Sequence, residues 1–114
     1  MITFSCKKIS KEDIIKCAFA LNKTEYNLLI FLLKKERKYT VYQISELLKL
    51  DRTTIQKAIK NLADKELVKK TQRNAPGGGR SFLYSIETKK EIKDKIKNLI
   101  SKWCEEVEDA INKL

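Results

Sequence analysis

No histidine occurs anywhere in the 114 residues, and the three cysteines, Cys6, Cys17 and Cys104, are an odd, widely spaced set without any C-x-x-C pair. The usual ligand sets for zinc are therefore missing, and so is the imidazole that most often serves as a general base. No carboxylate cluster or serine–base pair replaces it, so no cofactor is implied and the protein is expected not to be an enzyme. A run of about eighteen apolar residues is missing too, and Met1-Ile2-Thr3-Phe4 is too short for a signal-peptide core, which predicts a cytoplasmic protein with reduced thiols. Cys17, among Ile14, Ile15 and Ala18, reads as a small buried hydrophobe. A redox-sensing role stays open for Cys6 or Cys104. Glycine and proline are scarce as well: all three glycines and the one proline fall in Asn74-Ala75-Pro76-Gly77-Gly78-Gly79-Arg80. That stretch lacks the G-K-[ST] of a phosphate-binding loop, so a nucleotide site is not expected.

What is present is positive charge. The formal charge is +10, and Lys34 to Ile86 holds thirteen Lys and Arg against five acids, so an anionic partner is expected to meet the middle of the chain. A chain of this length can just bury one core.

Capping signals divide the sequence into helices. Ser10, with Asp13 three residues on, opens a helix through about Ala20 whose Ile14, Ile15, Ala18 and Phe19 share one face. Asn22 with Glu25 opens a second, apolar nearly all round from Leu28 to Leu33, as expected of a central core helix. Thr40 with Gln43 opens a third, from about Val41 to Lys49, predicted to bury Ile44, Leu47 and Leu48. Asp51 caps a fourth that runs to about Asp64. Around this helix Ile55, Ala58, Ile59 and Leu62 gather on one side and Thr53, Gln56, Lys57 and Lys60 on the other. Leu67 to Arg73 and Ser81 to Ile86 are β-rich, and the glycine-containing stretch should join them as a hairpin with a mobile tip. Thr88 with Glu91 opens a long helix to the C-terminus.

This order of elements predicts a mainly α protein with a small antiparallel β-wing, a winged helix-turn-helix. Residues 1–87 would form the DNA-binding domain and 88–114 a C-terminal dimerisation helix. Ile44, Leu48, Leu50, Ile55 and Ala58 sit where two crossing helices need buried residues, and Ser45 supplies a small one where they approach. On that fold Arg52, Thr53, Gln56 and Lys57 would meet base edges in a major groove. Thr54 and Lys60 would hold phosphates. Lys69 and Lys70 add charge along the wing, and Arg73 and Arg80 flank its tip, where an arginine can enter the minor groove or grip the backbone.

The last helix carries Ile92, Ile96, Leu99, Ile100, Trp103, Val107, Ala110, Ile111 and Leu114, a set that repeats at eleven residues. Eleven residues are about three turns, so the stripe runs nearly straight along a helix about 38 Å long. It exceeds what one small domain can cover; a second copy is the simplest partner, with folding of its first turns back onto the first helix as the alternative. Lys89, Lys90, Lys93, Lys95 and Lys97 precede Glu105, Glu106, Glu108 and Asp109, a distribution that favours antiparallel pairing of two copies.

The stretch from Thr40 to Ile86 resembles archaeal transcription regulators of the MarR and TrmB type. The resemblance rests on Leu50-Asp51-Arg52-Thr53-Thr54-Ile55, on Leu62-Ala63-Asp64-Lys65-Glu66-Leu67-Val68, and on Gly77-Gly78-Gly79-Arg80 followed by Phe82-Leu83-Tyr84. It implies a homodimer held by terminal helices that binds an operator and represses or activates a promoter. The wing lacks the Asp-x-Arg pattern of MarR proper and leans toward TrmB-like DNA-binding domains, without room for the effector domain of larger TrmB proteins. Lys49 and Glu66 stand where the family usually carries glycine, so two turns must use less favoured backbone or another geometry. The expected function is sequence-specific double-stranded DNA binding as a homodimeric transcription regulator; the alternative is a winged-helix protein-interaction module within a larger complex. A small-molecule effector is not identified by any residue pattern.

Overall fold

The computed structural model describes residues 2–3, 5–74, 80–86 and 88–114. In chain order the elements are β1 (Ile2–Thr3), β2 (Lys8–Ile9), α1 (Lys11–Phe19), α2 (Lys23–Lys35), α3 (Val41–Leu48), α4 (Arg52–Asp64), β3 (Val68–Asn74), β4 (Arg80–Ile86) and α5 (Lys89–Asn112). They form two compact units, residues 1–22 with 88–114, and residues 23–87. The fold is mainly α with a small antiparallel wing, a winged helix-turn-helix.

In the first unit, β1 and β2 pair antiparallel, Ile2 opposite Ile9 and Thr3 opposite Lys8, so the N-terminal arm is a minimal ladder. Ser10 and Asp13 close a reciprocal capping box, with the Asp13 amide donating to Ser10 Oγ at 3.1 Å and the Ser10 amide to Asp13 Oδ2 at 3.2 Å. The Ser10 amide, and after it the Ser10 hydroxyl, hold the Asp13 carboxyl below its ordinary pKa of 3.8. Ile15 and Phe19 are buried on α1, which packs against α5. Residues 1–22 thus group with the last helix rather than with the helix-turn-helix, a different division from the expected break at residue 87. Cys17 is exposed, against the expectation of a buried thiol. At about 100° per residue it lies on the side of α1 opposite Ile15 and Phe19. Cys6 and Cys104 are exposed free thiols as well.

In the second unit, α2 supplies the centre: Leu28, Leu29 and Leu32 are fully buried, with Ile44 of α3, Ile55 and Leu62 of α4, and Leu67 before the wing. Apolar residues all round α2 are what a helix needs when neighbours cover it on several sides. Glu25 is also buried, only 3% exposed, and its Oε2 accepts from Asn61 Nδ2 of α4 at 2.6 Å. A carboxylate out of water is costly unless hydrogen-bonded, so this bond ties α2 to α4 at a defined register. Glu25 was expected to serve the cap at Asn22; its tertiary bond to α4 had no local sequence signal.

Among the described residues, four helix ends turn through left-handed backbone without glycine: Ala20 (φ 54°), Glu36 (φ 51°), Lys49 (φ 56°) and Glu66 (φ 59°). At three of them the next residue is a leucine whose amide bonds back five residues: Leu21 to the Lys16 carbonyl at 2.8 Å, Leu50 to Ser45 at 3.1 Å and Leu67 to Leu62 at 3.0 Å. Such bonds satisfy carbonyls that a helix end would otherwise leave open. Lys49 and Glu66 therefore adopt the less favoured backbone that glycine would adopt freely.

The wing pairs β3 with β4 from Val68 opposite Ile86 to Asn74 opposite Arg80. The expected loop at its tip, residues 75–79, lies outside the described residues, as does the Arg80 side chain. A short third segment was not foreseen: the Tyr39 amide donates to the Tyr84 carbonyl at 2.9 Å and the Tyr84 amide to the Tyr39 carbonyl at 2.7 Å. Burial pushes the Tyr84 phenol above its ordinary pKa.

Candidate nucleic-acid interface

The helix-turn-helix is set by its two caps. Thr40 and Gln43 form a capping box, the Gln43 amide donating to Thr40 Oγ1 at 3.1 Å and the Thr40 amide to Gln43 Oε1 at 2.9 Å. After the turn at Lys49, Asp51 Oδ1 accepts from the Thr54 amide at 2.7 Å and starts α4. The hydroxyl and amide of Thr54 hold the Asp51 carboxyl below its ordinary value, so the cap keeps its charge at neutral pH.

Ser45 and Ala58, the small residues expected where α3 and α4 approach, are both buried. Ser45 turned inward centres the buried face of α3 between Ile44 and Ser45. Leu47 consequently lies well round the helix and is 55% exposed, and Leu50 in the turn is exposed as well. Both were expected in the core, and neither is there.

The polar face of α4 divides in two. Arg52, Gln56 and Lys60 follow one another four residues apart and line an open groove of about 900 Å³ between α3, α4 and the wing. Thr53 and Lys57 are exposed on the adjoining stripe, and Thr54 is half-buried beside its cap. The wing is divided as well, because directly opposed residues of a ladder share one face. Lys70 falls with Phe82 and Tyr84 on the groove side, whereas Lys69 and Arg73 fall on the other. Arg73 Nε donates across the strands to Ser81 Oγ at 3.1 Å. Lys69 and Lys70, grouped in the sequence reading, thus face opposite ways.

Three aromatic residues line the groove, and their placement there was not part of the sequence reading. The Tyr42 ring lies 4.8 Å from the Arg52 guanidinium carbon, and the Phe82 ring 3.9 Å from Lys70 Nζ. Tyr84 lines the groove as well. The alternation of Phe82 and Tyr84 was visible, but only the β3–β4 register assigns them to the face of Lys70. Arg52 occupies the first position of α4, where the helix dipole disfavours a cation; the ring of Tyr42 offsets that disadvantage. With Arg52, Lys60 and Lys70 against the single acid Asp64, the groove is positively charged.

On α5, Ile92 is only 3% exposed and is core within this chain, which removes it from the expected dimer contact. The cause is the packing of α1 on the start of α5. Ile96 and Val107 are half-buried and Ala110 is exposed. Leu99, Ile100, Trp103 and Ile111 are exposed, Trp103 and Ile111 each by 56%. Among the described residues there is no cluster of metal-ligating side chains and no helix long and apolar enough to cross a membrane.

Comparison with known proteins agrees with this fold. The family model described as sugar-specific transcriptional regulator TrmB matches residues 15–90. A possible transcriptional regulator from Methanosarcina mazei superposes with a TM-score of 0.92 at 33% identity, over 99% of this chain and 95% of that one. The ST1889 protein of Sulfolobus tokodaii superposes with a TM-score of 0.69 at 24% identity, over 82% and 90% of the two chains, which speaks to the fold. The MJ1503 protein of Methanocaldococcus jannaschii is 27% identical over 109 residues, 96% of this chain and 82% of its own length. With an aligned helix-turn-helix, a basic groove beside it and a family match across both, the chain belongs to the TrmB family of transcriptional regulators.

Proposed function

We propose that the protein binds specific double-stranded DNA as a homodimer, with α4 in the major groove and the wing on the backbone or in the minor groove. The observation that carries this reading is the convergence of Arg52, Gln56, Lys60 and Lys70 on one groove while the opposite side of α4 is core. In this arrangement Arg52 and Gln56 present donors and acceptors to base edges, guanine suiting the arginine and adenine the amide. Thr53 and Lys57 extend the reading face, and Thr54, Lys60 and Lys70 hold phosphates. Lys69, Arg73 and Arg80 meet the backbone beside the wing.

The dimer reading draws on the apolar stripe of α5, exposed at Leu99, Ile100, Trp103, Ala110 and Ile111 and half-buried at Ile96 and Val107. A monomer leaves it in water, whereas a second copy covers it, with basic and acidic halves facing each other when the helices run antiparallel.

Selection of bound duplexes from random DNA, followed by binding titrations across a salt series, tests both parts. The expected result is a palindromic site with half-sites about one helical turn apart, and a log–log salt slope of several units. Absence of any duplex binding at low salt would refute the DNA reading. Binding to single, unpaired half-sites by a monomer would refute the dimer.

A further inference from the structure

We infer that Tyr42 is a positioning residue for base readout: its ring holds the Arg52 guanidinium over the groove with its hydrogen-bonding edge free for guanine. This rests on the DNA-binding role of the groove proposed above and names a residue outside the polar face of α4.

Tyr42 is the second residue of α3, just inside the Thr40 capping box, and Ser45 Oγ donates to its carbonyl at 2.8 Å. Ser45 is itself buried, so the turn that carries Tyr42 is anchored to the core. The Tyr42 side chain, by contrast, is 53% exposed and contributes little to that core. It stands at the groove, 4.8 Å from the Arg52 guanidinium.

The chemistry explains why a ring serves here better than an acid. A carboxylate would occupy the N–H fork of the arginine, the same fork that matches O6 and N7 of guanine. An aromatic ring takes only the face of the planar guanidinium, leaving its in-plane donors available, and it restricts a long side chain before DNA arrives. Arginine is better suited to this than lysine, whose ammonium has no face to stack. Phe82 and Lys70 repeat the arrangement on the wing, where a point charge suffices for phosphate.

The test uses the duplex selected by the wild-type protein and the same duplex with each guanine replaced in turn. Binding is measured by fluorescence anisotropy for wild type, Tyr42→Phe, Tyr42→Leu, Arg52→Ala and the Tyr42→Leu/Arg52→Ala double variant, with thermal melts alongside. Tyr42→Leu should weaken operator binding roughly two- to fivefold and shrink the penalty at the guanine that Arg52→Ala identifies. Tyr42→Phe, which keeps the ring, should bind like wild type, and Tyr42→Leu should cost nothing further once Arg52 is alanine. A merely structural role predicts a lowered melting temperature and equal losses with and without Arg52, and that result would overturn the inference. Unchanged operator affinity in Tyr42→Leu would overturn it as well, with DNA binding intact. Failure of the wild type to bind any duplex would overturn both this inference and the reading beneath it.

Discussion

Replacing Lys49 and Glu66 with glycine should make the protein more stable, although glycine inside ordered structure usually does the reverse. Both residues hold left-handed backbone, φ 56° and φ 59°. For a residue with a Cβ that conformation costs about 1–2 kcal/mol, because the Cβ crowds the following carbonyl. Glycine removes the crowding but widens the unfolded ensemble, which returns about 0.4–1 kcal/mol. The net gain is therefore about 0.5–1 kcal/mol per site. The two turns lie at different helix ends, so the gains should add to about 1–2 kcal/mol. For a domain of this size that corresponds to a rise in Tm of roughly 4–8 °C. Urea titration is the cleaner assay: the midpoint should rise while the slope stays constant, since the surface exposed on unfolding is unchanged. A β-branched control, Lys49→Val, should move the midpoint the other way. If the double glycine variant melts at or below the wild-type temperature, the left-handed turns are not a source of strain and the reasoning fails.

Stability should fall with acid through the two aspartate caps. Asp13 and Asp51 have folded-state pKa values below the ordinary 3.8, so their contribution is fully present above that value and is lost as pH falls through the lower folded values. Thermal melts from about pH 5 to about pH 2 should show the loss, and Asp51→Ala should show less of it. Asn61→Ala takes a hydrogen-bond donor from the buried Glu25 carboxylate at 2.6 Å and should cost about 1–3 kcal/mol in denaturant unfolding. Ile92→Ala, at a buried core position, should destabilise the protomer by about 2–5 kcal/mol. Trp103→Ala should instead leave intrinsic stability nearly unchanged and shift sedimentation toward monomer, and a wild-type protein sedimenting as a monomer would refute the role given to the stripe.

The helices were legible because their starts are local. Ser10–Asp13, Thr40–Gln43 and Asp51 cap within three residues of themselves, and periodicity does the rest for α4, whose Ile55, Ala58, Ile59 and Leu62 are all buried. Part of what went unread is local, and part depends on partners far along the chain. Leu47 looked like core until Ser45 turned inward, and Cys17 looked buried among apolar neighbours that share a face it does not. Ile92 could not be assigned to protomer or partner without knowing that α1 packs on α5. Strand alternation alone divides Lys70 from Lys69, but which of them faces the groove needed the strand register, and the aromatic lining of the groove needed both register and the pairing of Tyr39 with Tyr84. For the site, residue types were therefore readable and their grouping was not.

The pairing of Tyr39 with Tyr84 has a consequence for how long the protein stays on DNA. Tyr39 directly precedes the cap of α3, so two hydrogen bonds of 2.9 and 2.7 Å join the root of the wing to the start of the helix-turn-helix. In the DNA complex proposed above, wing and recognition helix are then two binding elements on one frame. When either lets go, the other keeps it within reach of its site at a high effective concentration, and re-engagement outruns escape. On that reading Tyr39→Pro, which removes one of the two hydrogen bonds, should loosen the root of the wing against the helix-turn-helix and speed dissociation from DNA.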